Sequence, residues 1–379
     1  MPKRRIDEID ILRGLTFLAI VMQHTLACYM YSPGIGKAPA VASALLLTLV
    51  RYAVPMFIFI TGLVLYYNHG DRELNYGYFL KQRFTQIFIP YFVWTFIYFI
   101  CTNFSFAMIV SSPGVVALKL FKLTVAGEGY YHLWFMVAIL QFYLLFPLFR
   151  NLISRNKSRP LVTLSICFMV QLLLLSFYWY QVPVIFNNIH SPWIKTLLAY
   201  RDRIFISWFF YFVLGGFAGL YVEKLRELFS SIRIVNIVLF LCSLAFIFSQ
   251  LLKTGHLDST NAFILNNQFT GPLNYMMMLY ISSSFIIIYD LSQTLFLKHR
   301  LIMKVLKTFG RYSYGCYFVH AFILYHIEVW AKVHVNWAGF ISLVVISFLV
   351  CSALSLIACF LMSKLKDPIG KILVGKIPA

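Results

Sequence analysis

Charge is what this chain has least of. Asp, Glu, Lys and Arg make up 12% of its 379 residues, and only 13 of them are acidic. Soluble domains carry roughly a quarter charged residues, so a globular protein surrounded by water is excluded. Paired cysteine motifs are also missing: the seven cysteines all fall in apolar runs and none has CxxC spacing. That pattern argues against a disulfide framework or a zinc site, and for packing as small apolar residues. No repeat of 20–50 residues and no pairing of broken apolar segments is visible, which weighs against a transporter. Long polar stretches are absent too. The longest expected non-spanning stretch is 102–130, so no appended soluble domain is expected and residues 1–379 read as a single membrane domain.

Apolar residues account for 61% of the chain, and its mean hydropathy is +0.79. Crossing the hydrocarbon core takes about 20 residues of helix. Ten stretches qualify: 11–31, 45–67, 84–101, 131–149, 161–180, 204–222, 234–252, 271–293, 311–331 and 338–362. The expected fold is therefore all-α, a multi-pass bundle of about ten spans. The first run carries Arg13, Gln23 and His24 and lacks a small-residue cleavage site, so it reads as a retained span rather than a signal peptide. Lys and Arg number 32, giving a formal charge of +19. With the amino terminus inside, 21 of them fall in segments on the inner side and 8 on the outer side. Such asymmetry orients membrane proteins with basic loops in the cytoplasm. Both termini are therefore expected inside, and the basic excess needs no nucleic acid to explain it.

Ionisable groups within spans are few, and each is a functional candidate because insertion there is costly. In IDEIDILRGLTFLAIVMQH, Arg13 and His24 are eleven residues apart. That spacing is about three helical turns, so both lie on one face, separated by about 16 Å of rise. Arg13 is expected at the cytoplasmic boundary and His24 near mid-bilayer. Histidine can move a proton near neutrality, and an aligned Arg can hold an anion. The plainer alternatives are a hydrogen-bonded packing His and a snorkelling Arg. RYAVPMFIFITG places Arg51 near the outer boundary, to bind an acceptor or to pair with Glu128 or Asp202. In the same run Pro55 frees a backbone carbonyl, and Thr61–Gly62 admits a close neighbour.

FLKQRFTQIFIPYF brings Lys81 and Arg83 to a cytoplasmic boundary. They are either an anion site suited to phosphate or an ordinary inner loop. GEGYYHLWFM gathers Glu128, His132 and Trp134 at an outer mouth, as acceptor contacts or interfacial anchors. GRYSYGCYFVHAF buries His320 near mid-bilayer, to orient His24 or a substrate hydroxyl, or to bond a neighbouring helix.

RIDEIDILRGLTFLAIVMQH, with ten residues between its Arg and His, resembles the opening signature of the acyltransferase-3 family of bacterial integral membrane O-acyltransferases. The resemblance continues in order through RYAVPMFIFITG, KQRFTQIFIPY, YHLWFM and GRYSYGCYFVHAF. It implies transfer of an acyl group from a cytoplasmic donor such as acetyl-CoA to a hydroxyl of an extracytoplasmic glycan or lipid-linked sugar. By that resemblance His24 is the catalytic residue, and Arg13 with Lys81 and Arg83 holds the donor phosphates. Many relatives carry a second Arg three residues after the position of Arg83, where this chain has Gln86. Anchoring would then be weaker, or borrowed from Lys81 or Arg72.

The secreted hydrolase-like domain of some relatives is not expected after the last span. The chain is accordingly closer to stand-alone members of the Gram-positive exopolysaccharide type. No metal and no permanently bound cofactor are expected. The expected partners are acyl-CoA, the acceptor glycan, the lipid bilayer and glycan-synthesis machinery, at the bacterial cytoplasmic membrane. The competing class is a polysaccharide or lipid-linked oligosaccharide transporter or flippase.

Overall fold

Three acidic side chains, Asp7, Glu8 and Asp10, occupy the first turn of helix α1 (Asp7–Tyr29), where negative charge complements the helix dipole. The helix thus begins four residues before the expected span. The structure, a computed structural model, describes residues 6–70, 73–103, 113–334 and 339–376, without the side chains of 103, 223, 225, 226 and 332–334. Arg72 lies outside the described residues.

Next come α2 (Lys37–Val50) and α3 (Ala53–His69), then α4 (Tyr76–Arg83), a π-helical turn (Phe84–Phe88) and α5 (Ile89–Asn103). They are followed by α6 (Pro113–Ala126), α7 (Trp134–Leu144), α8 (Phe146–Arg155), α9 (Pro160–Asn188) and α10 (Pro192–Ala199). After two short 3-10 turns, α11 (Phe209–Leu220), α12 (Val222–Ser231) and α13 (Arg233–Leu252) lead to a two-stranded hairpin, β1 (His256–Leu257) and β2 (Phe263–Ile264). The chain ends with α14 (Met277–Lys298), α15 (Arg300–His334), α16 (Phe340–Ser363) and α17 (Ile369–Val374).

Among the described residues, six helical stretches are long and apolar enough to cross a membrane, or seven if α7 and α8, bent by 57°, form one. The six are Asp7–Tyr29, Lys37–His69, Tyr76–Thr102, Pro160–Asn188, Arg233–Leu252 and Phe340–Ser363. The expected run 204–222 coincides with the 12-residue α11, 271–293 with α14, and 311–331 with the interior of the 35-residue α15. Stretch 102–130, expected to lie outside the spans, contains helix α6. Four cysteines, Cys167, Cys316, Cys351 and Cys359, are buried, and none of the seven is in a disulfide.

The chain contacts group into two units, Met1–Thr61 with Leu220–Ala358, and Gly62–Gly219 with Cys359–Ala379. In the first, α1 and α15 run side by side in the same direction. Glycine makes this possible: a Cβ on Gly310 would sit 1.8 Å from the Asp10 carbonyl oxygen, and one on Gly14 would sit 2.2 Å from that of Leu306. Lys307 pairs with Asp7 at 3.0 Å, and Phe17 stacks on Phe309. Beyond His24, Leu26, Tyr29 and Met30 pack with Leu47, Ala331, Leu343 and Val344. In the second unit, a Cβ on Gly62 would meet the Phe212 carbonyl oxygen at 2.3 Å. The close neighbour expected at Thr61–Gly62 is therefore α11. Gln171 of α9 donates to the Ser207 carbonyl at 2.8 Å, joining α9 to the start of α11.

Candidate active site

The first unit brings His24 of α1 to His320 of α15, with ring centroids 5.3 Å apart. His320 is fully buried, whereas His24 is half-buried. The imidazole Nδ1 of His320 lies 2.7 Å from the Tyr317 carbonyl oxygen. A carbonyl only accepts, so Nδ1 carries the proton and, in the neutral ring, Nε2 has the lone pair. Phe17 meets the His320 ring edge-on at 6.1 Å, and the Cys351 thiol donates to the His320 carbonyl at 3.4 Å. The buried imidazole is thus fixed in place, and His24 is the less buried member of the pair.

Helix α1 is unbroken, so Arg13 stays about 16 Å from His24 along one face. Its guanidinium is 3.7 Å from the buried carboxylate of Asp10 and its side chain is 27% exposed. His24 sits about 26 Å from the start of α1 and about 8 Å from its end, nearer the Tyr29 end than the middle of the helix.

The apolar stretch that holds Arg51 begins eight residues earlier than the expected run from 45. The apolar helix starts at Lys37, and Arg51 occupies a break between α2 and α3. Pro55 is the reason: it has no N–H for the Arg51 carbonyl four residues earlier, and its ring crowds that carbonyl. The carbonyls just before the break find other donors, Gln23 Nε2 for Val50 at 2.6 Å and the Tyr280 hydroxyl for Leu49 at 3.3 Å. Gln23, next to His24, therefore pins α1 to the break. The Arg51 charge lies within electrostatic reach of His24. Arg51 also lines a cavity of about 610 Å³ together with Tyr31, His256, Asn266, Asn267 and Gln268. These five partners were not expected. Their one sequence signal is a run of three amides, Asn266 to Gln268, in an otherwise apolar chain.

In the second unit, Lys81 is exposed on α4 and Arg83 closes that helix. The Arg83 guanidinium lies over the Phe79 and Tyr143 rings at 5.0 and 5.2 Å. The π-helical turn that follows contains Gln86, four residues before Pro90, so the missing proline N–H falls where the wider turn forms. Glu128 accepts from the Tyr200 hydroxyl at 2.6 Å and lies 3.7 Å from Arg203. That hydrogen bond holds the Tyr200 phenol above its ordinary pKa. Asp202 is 3.8 Å from Arg203. Burial pushes its carboxyl up from the usual range while Arg203 pulls it down. Both acids considered as partners for Arg51 are thus engaged by Arg203. His132 is buried among Tyr98, Tyr130 and Tyr131, and Trp134 stacks on Trp208 at 6.0 Å. Among the described residues, no three His, Cys, Asp or Glu side chains come together to hold a metal ion.

The family model described as "Acyltransferase domain" (acyltransferase-3) matches residues 6–356. The chain is 23% identical to the "Putative membrane-bound acyltransferase YfiQ" of Bacillus subtilis (strain 168), over 98% of this chain and 95% of that protein. It is 23% identical to the "Probable poly-beta-1,6-N-acetyl-D-glucosamine export protein" of Staphylococcus aureus (strain MSSA476), over 86% of this chain and 83% of that protein. No solved structure matches it.

Proposed function

The chain belongs to the acyltransferase-3 family and is a multi-pass membrane acyltransferase, and from that premise we propose which groups it moves and how. An acetyl or other short acyl group passes from cytoplasmic acyl-CoA to a hydroxyl of a cell-surface polysaccharide or lipid-linked glycan. The protein works as one domain in the bacterial cytoplasmic membrane, with ten crossings and both termini inside. The observation that carries this reading is the His24–His320 pair, one ring half-buried and the other fixed behind it.

In the proposed step, neutral His24 takes the proton from the acceptor hydroxyl as that oxygen attacks the thioester carbonyl. The carbon–oxygen bond forms, the carbon–sulfur bond breaks, and CoA leaves as the thiol once the proton is returned to sulfur. A route through acyl-His24 uses the same contacts in two stages. His320 positions and supports the His24 ring. Arg13, and by family resemblance Lys81 and Arg83, bind the donor phosphates, as guanidinium and ammonium groups suit that task. Arg51, with Glu128, His132 and Trp134, contributes to acceptor binding.

Acyl transfer by purified protein tests this. His24→Ala is expected to lose transfer by a factor of about 10² to 10⁴, the range for a general base. Arg13→Ala is expected to raise the donor KM. Unchanged O-acylation in His24→Ala would refute the mechanism. The name of the Staphylococcus aureus relative favours export as a second reading. A deletion strain separates the two: surface polymer without O-acyl groups supports transfer, and polymer retained inside the cell supports export.

A further inference from the structure

We propose that the cavity around Arg51 is a subsite for an anionic group carried by the acceptor sugar. Arg51 is the reason. A guanidinium is charged at neutral pH, and holding it half-buried away from an anion is costly. Its Nε is buried with no hydrogen-bond partner, and among the described residues no carboxylate pairs with it. None of the residues lining the cavity is acidic. The nearby acid of the hairpin turn, Asp258, is committed to the Thr260 amide and hydroxyl and to the Ala262 amide, each within 2.9 Å. The cavity therefore presents an uncompensated positive charge, which a carboxylate or phosphate would neutralise through charge-assisted hydrogen bonds.

A second observation points to a sugar. Asn267 is 6% exposed, and its Oδ1 is buried without a donor. Its Nδ2, by contrast, is fixed on the Tyr31 hydroxyl at 3.2 Å and the Leu265 carbonyl at 3.1 Å. The lining thus offers an acceptor for a hydroxyl or amide N–H beside a donor for an anion, and an acidic saccharide carries both groups. The walls are built rather than adventitious. The Phe263 amide donates to the Ile35 carbonyl at 2.9 Å, and Leu265 packs on Ala44 and Leu251. About 610 Å³ lies within the size range of small-ligand sites. The cavity adjoins the Tyr29 end of α1, the end nearer His24, as an acceptor subsite requires. Identifying the ligand as the acceptor rests on the proposed acyl transfer; the demand for an anion rests on Arg51 itself.

The test measures binding without donor, so it is independent of turnover. Full-length protein in nanodiscs is titrated with a glucuronic-acid-containing disaccharide, its carboxyl-reduced neutral counterpart and N-acetylglucosamine 1-phosphate. At least one anionic probe is expected to bind about 10- to 100-fold more tightly than the neutral one, as charge-assisted bonds give. The preference should vanish in Arg51→Gln and return in part in Arg51→Lys. A carboxylate preference assigns the anion to an acidic sugar of the polymer; a phosphate preference assigns it to a sugar phosphate. Should Arg51→Gln not fold, Asn267→Asp places a negative charge in the cavity and is expected to weaken the anionic probes alone, by tenfold or more. Equal or undetectable binding of all three probes, or a preference that survives Arg51→Gln, overturns the inference. Acylation surviving in His24→Ala would overturn the proposed mechanism and leave these binding results standing.

Discussion

Replacing Gly310 by alanine tests the argument that the α1–α15 contact sets the His24–His320 geometry. A Cβ there would lie 1.8 Å from the Asp10 carbonyl oxygen, well inside van der Waals contact, and backbone cannot rotate aside as a side chain can. The helices must separate locally by more than about 1 Å, and overpacking of this kind costs about 1–3 kcal/mol. His320 is ten residues further along α15, about 15 Å away, so a tilt or shift at the glycine carries to the imidazole pair. A misplacement of about 1 Å can cost roughly 100-fold in rate. The assay pairs thermal unfolding in detergent with acyl-transfer kinetics. Gly310→Ala is expected to lower Tm and to reduce kcat by one to two orders of magnitude. Gly114→Ala, where an added Cβ meets nothing within 4 Å, is the control and should change neither. If Gly310→Ala melts and turns over like the wild type, the close approach does not position the site.

Three further outcomes are expected. His320→Gln should lower kcat by about 100-fold while the donor KM changes by less than about twofold; a pure packing role would instead lower Tm with kcat intact. Gln23→Leu leaves the Val50 carbonyl at the α2–α3 break without its donor, at a cost of about 1–3 kcal/mol, read as a lower Tm in the same detergent. The Thr260 hydroxyl, then the Ala262 and Thr260 amides, hold the Asp258 carboxyl below its usual range. The stabilisation is complete above the unfolded value near 4 and is lost as pH falls through the depressed value. Asp258→Ala should therefore open the 258–262 turn to limited proteolysis at pH 7, where the wild type resists; equal resistance would refute it.

Several parts of the site were legible because they depend on local periodicity. Arg13 and His24 share a face of one helix whatever surrounds it, since 3.6 residues per turn fixes their relation. Pro55 announced the freed Arg51 carbonyl, and Gly62 announced a close neighbour. The length of the second apolar helix was not legible: Lys37 to Leu45 packs through Ala40 and Ala44 on residues of the hairpin loop and α13, contacts remote in sequence. Nor could Glu128 and Asp202 be assigned, since each had several cations available until the fold placed Arg203 beside both.

By itself the sequence determined that this protein needs a bilayer as its solvent, that it is helical, and that His24 and Arg13 form one aligned pair. Those properties follow from composition and from the geometry of a single helix. Only the tertiary structure decided that His320, 296 positions beyond His24, lies behind it, and that Arg51 shares a cavity with Tyr31, His256 and three amides of a loop. The physical reason is that such contacts depend on which helices touch. Gly14 and Gly310 choose the neighbour of α1, and the hydrogen bond from Phe263 to Ile35 holds the loop over Arg51. Neither choice leaves a period in the sequence to be read.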